Sequence, residues 1–485
     1  MTDTRVLLGK IKDLRQRLAQ VQGLVGEANR AAATLLGEDE KTDASLDEKI
    51  EEGNRRQALL DNALRQLADG ISGNEIRPTR LTGRARHLLE RGRQLVAKLK
   101  TLADEPLVQK GDQGGDDTLN DPLLDSFRDT ASMTESALRL VQAFPDAPSA
   151  QLRLSDGLEH IMEAVAERLA LLTEAVDVRR GEIRRRDVLA KLLIRMKNGE
   201  SLAPEAFVDL AESILEEVRQ GAPLRYMHAP AKNPAEFVAC HGITAARIAS
   251  RMIRHDMEWQ KFALDAVIAS FIKDVGMLAL EPEILAHDGK LSDDELRQVE
   301  GHVRKGADLI AKSLPAAAPL CEAIVSHHER LDGTGYPAGL RDPQIGMMPR
   351  LLAIADVYAA MSCPRPHRAP LDPRTALTET LLLAERGLLD RTLAERLLHL
   401  SFYPVGSIVE LADGSVGLVV ATHLMPRQLQ TPGRPVIAML ADGDGRLLPS
   451  PRHLDLAESE GRTIVRSLTG TQRRQLLGKR HPELV

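Results

Sequence analysis

Cysteine, aromatic side chains, long apolar runs and an excess of positive charge are all scarce in this 485-residue sequence, and most of these shortages exclude a class of protein. Three cysteines, Cys240, Cys321 and Cys363, are too few and too scattered for a disulfide framework or a cysteine-rich zinc site. Three ordinary thiols in a reducing compartment are expected. Aromatic residues make up only 2% of the chain, yet 43% is apolar and 28% charged. That composition excludes a disordered chain and, at roughly 150 residues per domain, gives about three folding units. Nowhere do roughly 18 uncharged apolar residues run together, and residues 1–13 mix Asp, Arg and Lys without an apolar stretch. Neither a membrane span nor a signal peptide is expected, and the expected location is the cytoplasm. Sixty-four basic residues against seventy acidic ones leave a net charge of -6, which argues against DNA binding through overall charge.

What is present in the first half is helical periodicity. Leu7, Ile11, Leu14, Leu18, Val21, Val25, Ala28 and Ala32 alternate steps of four and three, the a/d pattern of a coiled coil, so helix pairing in a homodimer is expected. Leu46, Ile50, Leu60, Leu64, Leu67 and Ile71 keep the same spacing, and a third stretch runs over 81–102. These read as antiparallel hairpin arms or as further dimer contacts. Residues 104–122, DEPLVQKGDQGGDDTLNDP, lose the period and read as a linker between a helical coiled-coil module (1–103) and a helical connector (123–200). The connector breaks at FPDAPS (144–149) and then runs as one long helix with Met162, Val165, Leu169, Leu172 and Val176 on one seam. Its arginine-rich piece RRGEIRRR (179–186) is expected to form a solvated face. The whole half is either a generic helical bundle or a dimerising input module that passes a signal along the long helix.

The second half carries the chemistry. Of 14 histidines, seven fall between His228 and His328. The densest piece is SHHERLDGTGYPAGL (326–340), where an apolar run, Ala323, Ile324 and Val325, ends in two adjacent histidines followed by a glycine-rich turn. His327 and His328 therefore sit at a helix end as candidate metal ligands, with Glu329 and Asp332 available to orient them. Beyond about residue 403 the apolar runs shorten to strand length, at 407–411, 416–421 and 435–440, separated by ADG, PGR and DGDG turns. A small β-barrel-like module over 401–485 follows, with Ile408, Val409, Leu411, Val416 and Leu418 as core candidates.

HHERLDGTGYP is similar, almost letter for letter, to the signature of the HD-GYP phosphohydrolases, a branch of the HD superfamily that resembles metal-dependent cyclic-di-GMP phosphodiesterases. The resemblance spans roughly residues 180–400 and implies a mainly α protein with an all-helical HD-GYP domain at 201–400; the first 150 residues are not covered. The segment FYPVGSIVELADGSVGLVV (402–420) resembles the β module that often trails such domains. The resemblance places metal ligands at His241, Asp274, His302, His327, His328 and Asp356. It places substrate contacts at Arg365, Arg368, Gly335, Tyr336 and Pro337. The glutamate of a three-metal subgroup would fall on Phe237, with Glu236 one step out of register, so a third metal is not expected. His255-Asp256 and His287-Asp288-Gly289-Lys290 look like the family doublet but fall outside its register and are expected to be surface residues.

Two departures bear on mechanism. Where the family has the histidine of its His-Asp doublet this chain has Lys273, and where it has a lysine this chain has Met277; Asp274 and Gly276 are kept. In the implied two-metal centre Asp274 bridges, and one ion (iron, manganese or zinc) has His302, His327, His328 and Asp274. The other keeps only His241, Asp274 and Asp356, because a protonated Lys273 has no lone pair to donate. An ammonium from Lys273 lying between Asp274 and Asp356 could replace that ion's charge, putting Asp274 and Lys273 at the reacting centre. Burial would depress the lysine's pKa and the carboxylates would raise it, and the sequence leaves the sign open. The resemblance implies a bacterial signalling protein that binds cyclic-di-GMP or a partner with little turnover. An active phosphodiesterase, or a scaffold for a diguanylate cyclase domain, is the alternative.

Overall fold

The computed structural model describes residues 82–105, most of 127–138 and, apart from short gaps of which 422–433 is the longest, 148–472. The heptads of 7–32 and 46–71, and most of the 104–122 linker, lie outside the described residues.

Helix α1 (Gly83–Ala103) starts where Thr82 accepts a hydrogen bond from Ala85 N. Its buried stripe, Ala85, Leu88, Gly92, Leu95, Val96 and Leu99, has the spacing of one helix face. Gly92 is there for close approach: a Cβ would meet the Leu138 methyls and come within 2.8 Å of Met162 Sδ. Helix α2 (Pro148–Lys197) has 50 residues, about 75 Å at 1.5 Å per residue. The expected seam, Met162, Val165, Leu169, Leu172 and Val176, is buried against α1 and Phe127. The same helix then sends Leu189, Leu192, Leu193 and Met196 into a second core, so one rigid element ends in both.

That second core belongs to a helical domain: α3 (Glu205–Arg219), α4 (Pro234–Ile253), α5 (Ala263–Ile272), a 3₁₀ turn (Val275–Ala279), α6 (Asp293–Glu300), α7 (His302–Ser313), α8 (Cys321–Val325), α9 (Met347–Ser362), α10 (Pro373–Glu385) and α11 (Arg391–Glu395). Helix α4 is its axis and is buried on nearly every side. Small residues make that possible. A Cβ at Gly242 would lie 3.0 Å from Ser270 O and 3.1 Å from Phe271 O, so α5 lies against bare backbone.

The arginine-rich piece of α2 differs from the expected solvated face. Arg186 pairs with Asp187 and Glu236, at 2.7 and 3.4 Å. Arg185 donates to Glu182 and Glu217, at 3.0 and 3.2 Å. Glu182 in turn receives both Nη groups of the fully buried Arg247 of α4, at 2.8 and 2.6 Å. Arg247 also reaches Glu217 at 2.9 Å, and Arg251 reaches its other oxygen at 3.3 Å. Burying these charges is costly unless each is matched, and here three guanidiniums enclose two carboxylates. The periodicity of α2 did not reveal this because the matching partners come from α3 and α4.

The C-terminal module is a five-stranded antiparallel sheet, β1 (Ile408–Leu411), β2 (Val416–Ala421), β3 (Val436–Ala441), β4 (Leu447–Asp455) and β5 (Ile464–Ser467), in the order β4-β3-β2-β1-β5. The three expected strands are present. Ile408, Val416 and Leu418 pack on one face, Val409 and Leu411 on the other. Two strands were not anticipated. β4 carries Pro449 and Pro451, which argue against a strand except at an edge, and an edge is where it lies. Among the described residues β4 and β5 lie at opposite edges of this sheet.

Candidate metal centre

Five elements bring the histidines and carboxylates together. His241 is on α4, Asp274 lies between α5 and the 3₁₀ turn, and His302 opens α7. His327 and His328 follow the end of α8, and Asp356 is on α9. The close approach of the 3₁₀ turn to α7 depends on Gly276, because a Cβ there would overlap His302 O.

The atoms Nε2 of His302, His327 and His328 are buried and have no hydrogen-bond partner among the described residues. Their tautomers follow from the other ring nitrogen. His302 Nδ1 lies 2.6 Å from Val299 O and His327 Nδ1 2.6 Å from Ile324 O. A carbonyl only accepts, so both Nδ1 atoms carry the proton and both Nε2 atoms present a lone pair. Those lone pairs lie 3.4 and 3.5 Å from Asp274 Oδ1. Burial depresses the pKa of His327, and that of His328 strongly, which keeps both imidazoles neutral. Ligand atoms of Asp274, His302, His327 and His328 all fall within 4.8 Å of one another. Three imidazoles and a carboxylate, with no other partner for the Nε2 atoms among the described residues, fit a first-row divalent ion such as iron, manganese or zinc.

The second group, His241, Asp274 and Asp356, is equally compact but is already filled. Lys273 is fully buried and its ammonium donates to both Asp274 and Asp356. Burial works against its charge, but the two carboxylates outweigh burial and raise its pKa. Burial likewise opposes ionisation of Asp274 and Asp356, yet Lys273 holds both carboxyls well below their usual range. His241 is also committed. Arg365 approaches its Nδ1 at 3.4 Å, and a guanidinium only donates, so the ring proton sits on Nε2 and donates to Asp356 Oδ1 at 2.8 Å. Neither His241 nor the space between the carboxylates fits a second ion.

The glycine-rich turn braces this centre from behind. Tyr336 stacks on His328 with ring centroids 4.7 Å apart and meets His302 edge-on. A Cβ at Gly335 would collide with His328 O and Arg330 N. The Tyr336–Pro337 bond is cis, and Pro337 O accepts from Arg304. Glu329 and Asp332 do not orient the imidazoles of His302 and His327, a task performed by the carbonyls of Val299 and Ile324. Glu329 instead receives Ala338 N and Leu340 N, at 2.7 and 2.9 Å, and Asp332 receives Thr334 N.

A cavity of about 430 Å³ opens over the centre, with His241, Asp274, His328 and Asp356 among its lining residues. Phe237, Met277 and Arg365 form walls, and the Arg365 guanidinium lies 5.1 Å over the Phe237 ring. Gly335, Tyr336 and Pro337 are not among the lining residues, and Arg368 spends its guanidinium on the carbonyls of Ala360, Met361 and Ala369. His287 and Lys290 are exposed, as expected of surface residues, and they also line the cavity. Sequence spacing alone could not bring that loop to the site. Glu236 pairs with Arg186 and does not line the cavity, and Asp256 caps the turn Met257–Gln260 and binds Arg396.

A family model described as HD domain matches residues 230–393, and one described as KOW domain associated with HD domain matches 408–476. The chain is 30% identical over 203 residues to the cyclic di-GMP phosphodiesterase PA4108 of Pseudomonas aeruginosa, a match covering 41% of this chain and 48% of that protein. It is 37% identical over 113 residues to the 3'3'-cGAMP-specific phosphodiesterase 3 of Vibrio cholerae, covering 23% of this chain and 24% of that one. It is 35% identical over 121 residues to the cyclic di-GMP phosphodiesterase response regulator RpfG of Xanthomonas campestris, covering 25% and 32%. The chain thus spans less than half the length of these relatives. Among the described residues no helix is long and apolar enough to cross a membrane.

Proposed function

We propose that the chain is a catalytically impaired HD-GYP domain protein that binds a cyclic dinucleotide such as cyclic-di-GMP, or a partner protein, to relay a signal. The observation that carries this is Lys273, whose ammonium takes the place between Asp274 and Asp356 that a second ion would need. His302, His327, His328 and Asp274 would hold one divalent ion, which would polarise a phosphate oxygen when bound. Arg365 and Lys290 line the same cavity and supply cations for the phosphates of a dinucleotide. Met277, also on the cavity wall, has no proton to give a leaving group, and loss of general-acid help typically costs ~10²–10⁴ in rate. The long helix α2, shared by two cores, suits a relay from an input module, and the heptads of 7–32 suit a homodimer in the cytoplasm.

The four-ligand set supports a second reading, an active phosphodiesterase that cleaves with a single ion. Purification without chelator, followed by element analysis and incubation with cyclic-di-GMP, separates the two. We expect one metal per chain and bound, uncleaved dinucleotide. Two equivalents of metal with linear dinucleotide or GMP as product would sink the impaired reading. Absence of nucleotide binding would leave a scaffold, for instance for a diguanylate cyclase domain docking beside Tyr336.

A further inference from the structure

We propose a second ligand site, for a small organic anion, in a cavity where the connector helix α2 meets the metal-centre domain. The cavity holds about 250 Å³ and shares no lining residue with the one over the histidines. Arg179, Glu182 and Arg186 of α2 form one side, and Arg225 and His228, from the segment before α4, form another. Cys240, the neighbour of His241 in α4, also lines it.

Charge decides what would enter. Glu182 is the one carboxylate in the lining, and both its oxygens are taken by Arg247, with Arg185 added on Oε1. Arg186 is matched by Asp187 and Glu236. Arg225 is different: half-buried, it has no hydrogen bond or ion pair from its guanidinium to any described residue. A guanidinium held partly out of water with nothing to bind is a fork for a carboxylate or phosphate. The same cavity exposes Val178, Ile183 and Met227, so an apolar body attached to the anion gains contact area.

The position gives such a ligand leverage. An occupant would touch both α2 and α4, across the seam that Glu182 and Arg247 already tie together. Whatever it favours in the seating of α2 is thermodynamically linked to the helix that carries His241.

Titration calorimetry on the full chain, with phenyl phosphate and inorganic phosphate as probes, tests the site. In an Arg365→Glu background, which removes a phosphate-binding cation from the cavity over the histidines, phenyl phosphate is expected to bind at one site per chain, more tightly than inorganic phosphate. Arg225→Glu should weaken it by about tenfold or more, and Ala175→Trp, which fills the rim without changing charge, should weaken it as well. No binding of either probe would overturn the proposal. So would binding lost in Arg365→Glu but kept in Arg225→Glu, which would assign the anion to the metal centre. Because none of these readouts involves metal content or dinucleotide cleavage, failure here leaves the reading of the histidine centre untouched.

Discussion

Lys273 and His241 converge on one oxygen, Asp356 Oδ1: the lysine donates its ammonium to it and the imidazole closes on it at 2.8 Å. Lys273→His should therefore replace a fixed cation with a neutral imidazole and free the pair of carboxylates for a second ion. Element analysis is expected to rise from one to two equivalents per chain, and cyclic-di-GMP hydrolysis should become measurable. Lys273→Met removes the charge and offers no ligand. It leaves Asp274 and Asp356, both buried, without their counterion, at a cost of about 3–5 kcal/mol in denaturant unfolding. An unchanged midpoint for Lys273→Met would mean that the ammonium does not neutralise the carboxylates.

Much of this centre was legible in the sequence because the histidines and aspartates sit in one recognisable string of motifs. His241, Asp274, His302, His327, His328 and Asp356 do converge in two overlapping groups. Less legible was anything that depends on which chain segment lies opposite. The loop at His287 and Lys290 reaches the cavity, and Arg368 turns to the end of α9, because of packing that no local spacing encodes. Tyr336 shows the same limit. The motif identifies the residue, while its use as a stacking brace for His328 appears only when the turn is folded against α7.

Acid should weaken the seam between α2 and the metal-centre domain. Burial alone would raise the Glu217 carboxyl, yet Arg247, Arg251 and Arg185 hold it below its ordinary 4.5, with Glu182 the other acid in the network. A depressed pKa means the stabilisation is complete above about pH 4.5 and is lost as pH falls through the lower folded-state value. Glu217→Gln leaves three guanidiniums facing a single carboxylate and should cost about 3 kcal/mol at neutral pH. Thermal unfolding of both proteins between pH 7 and 3 checks this. The variant should start lower and fall less steeply, and parallel curves would remove Glu217 as the acid-sensitive group.

Gly335→Ala tests the brace. The new methyl would collide with His328 O and Arg330 N, both main-chain atoms that have little room to yield. Displacing that turn should lift Tyr336 off His328 and lower the amount of metal that survives dialysis. Tyr336→Ala removes the stacking without the collision, a loss of roughly 0.5–1.5 kcal/mol beyond buried area. A graded fall in metal content, smaller for Tyr336→Ala than for Gly335→Ala, is the expected result. Full metal content in both variants would show that the histidines hold their positions unaided.

Metal removal should destabilise the helical domain and leave the sheet module unaffected. Nε2 of His302, His327 and His328 is buried without a partner among the described residues, so the protein without its ion keeps three desolvated ring nitrogens, those of His302 and His327 facing the Asp274 carboxylate. An ion that binds only the folded state at about a hundred times its Kd contributes about 2.7 kcal/mol. For a domain of this size that is roughly 5–10 °C in Tm. Chelator treatment followed by scanning calorimetry should lower the transition of the helical domain by that amount, and one equivalent of zinc or manganese should restore it. Lys273 sharpens the expectation. With its ammonium already between Asp274 and Asp356, a second equivalent should add no further stability, whereas in Lys273→His it should add a second step.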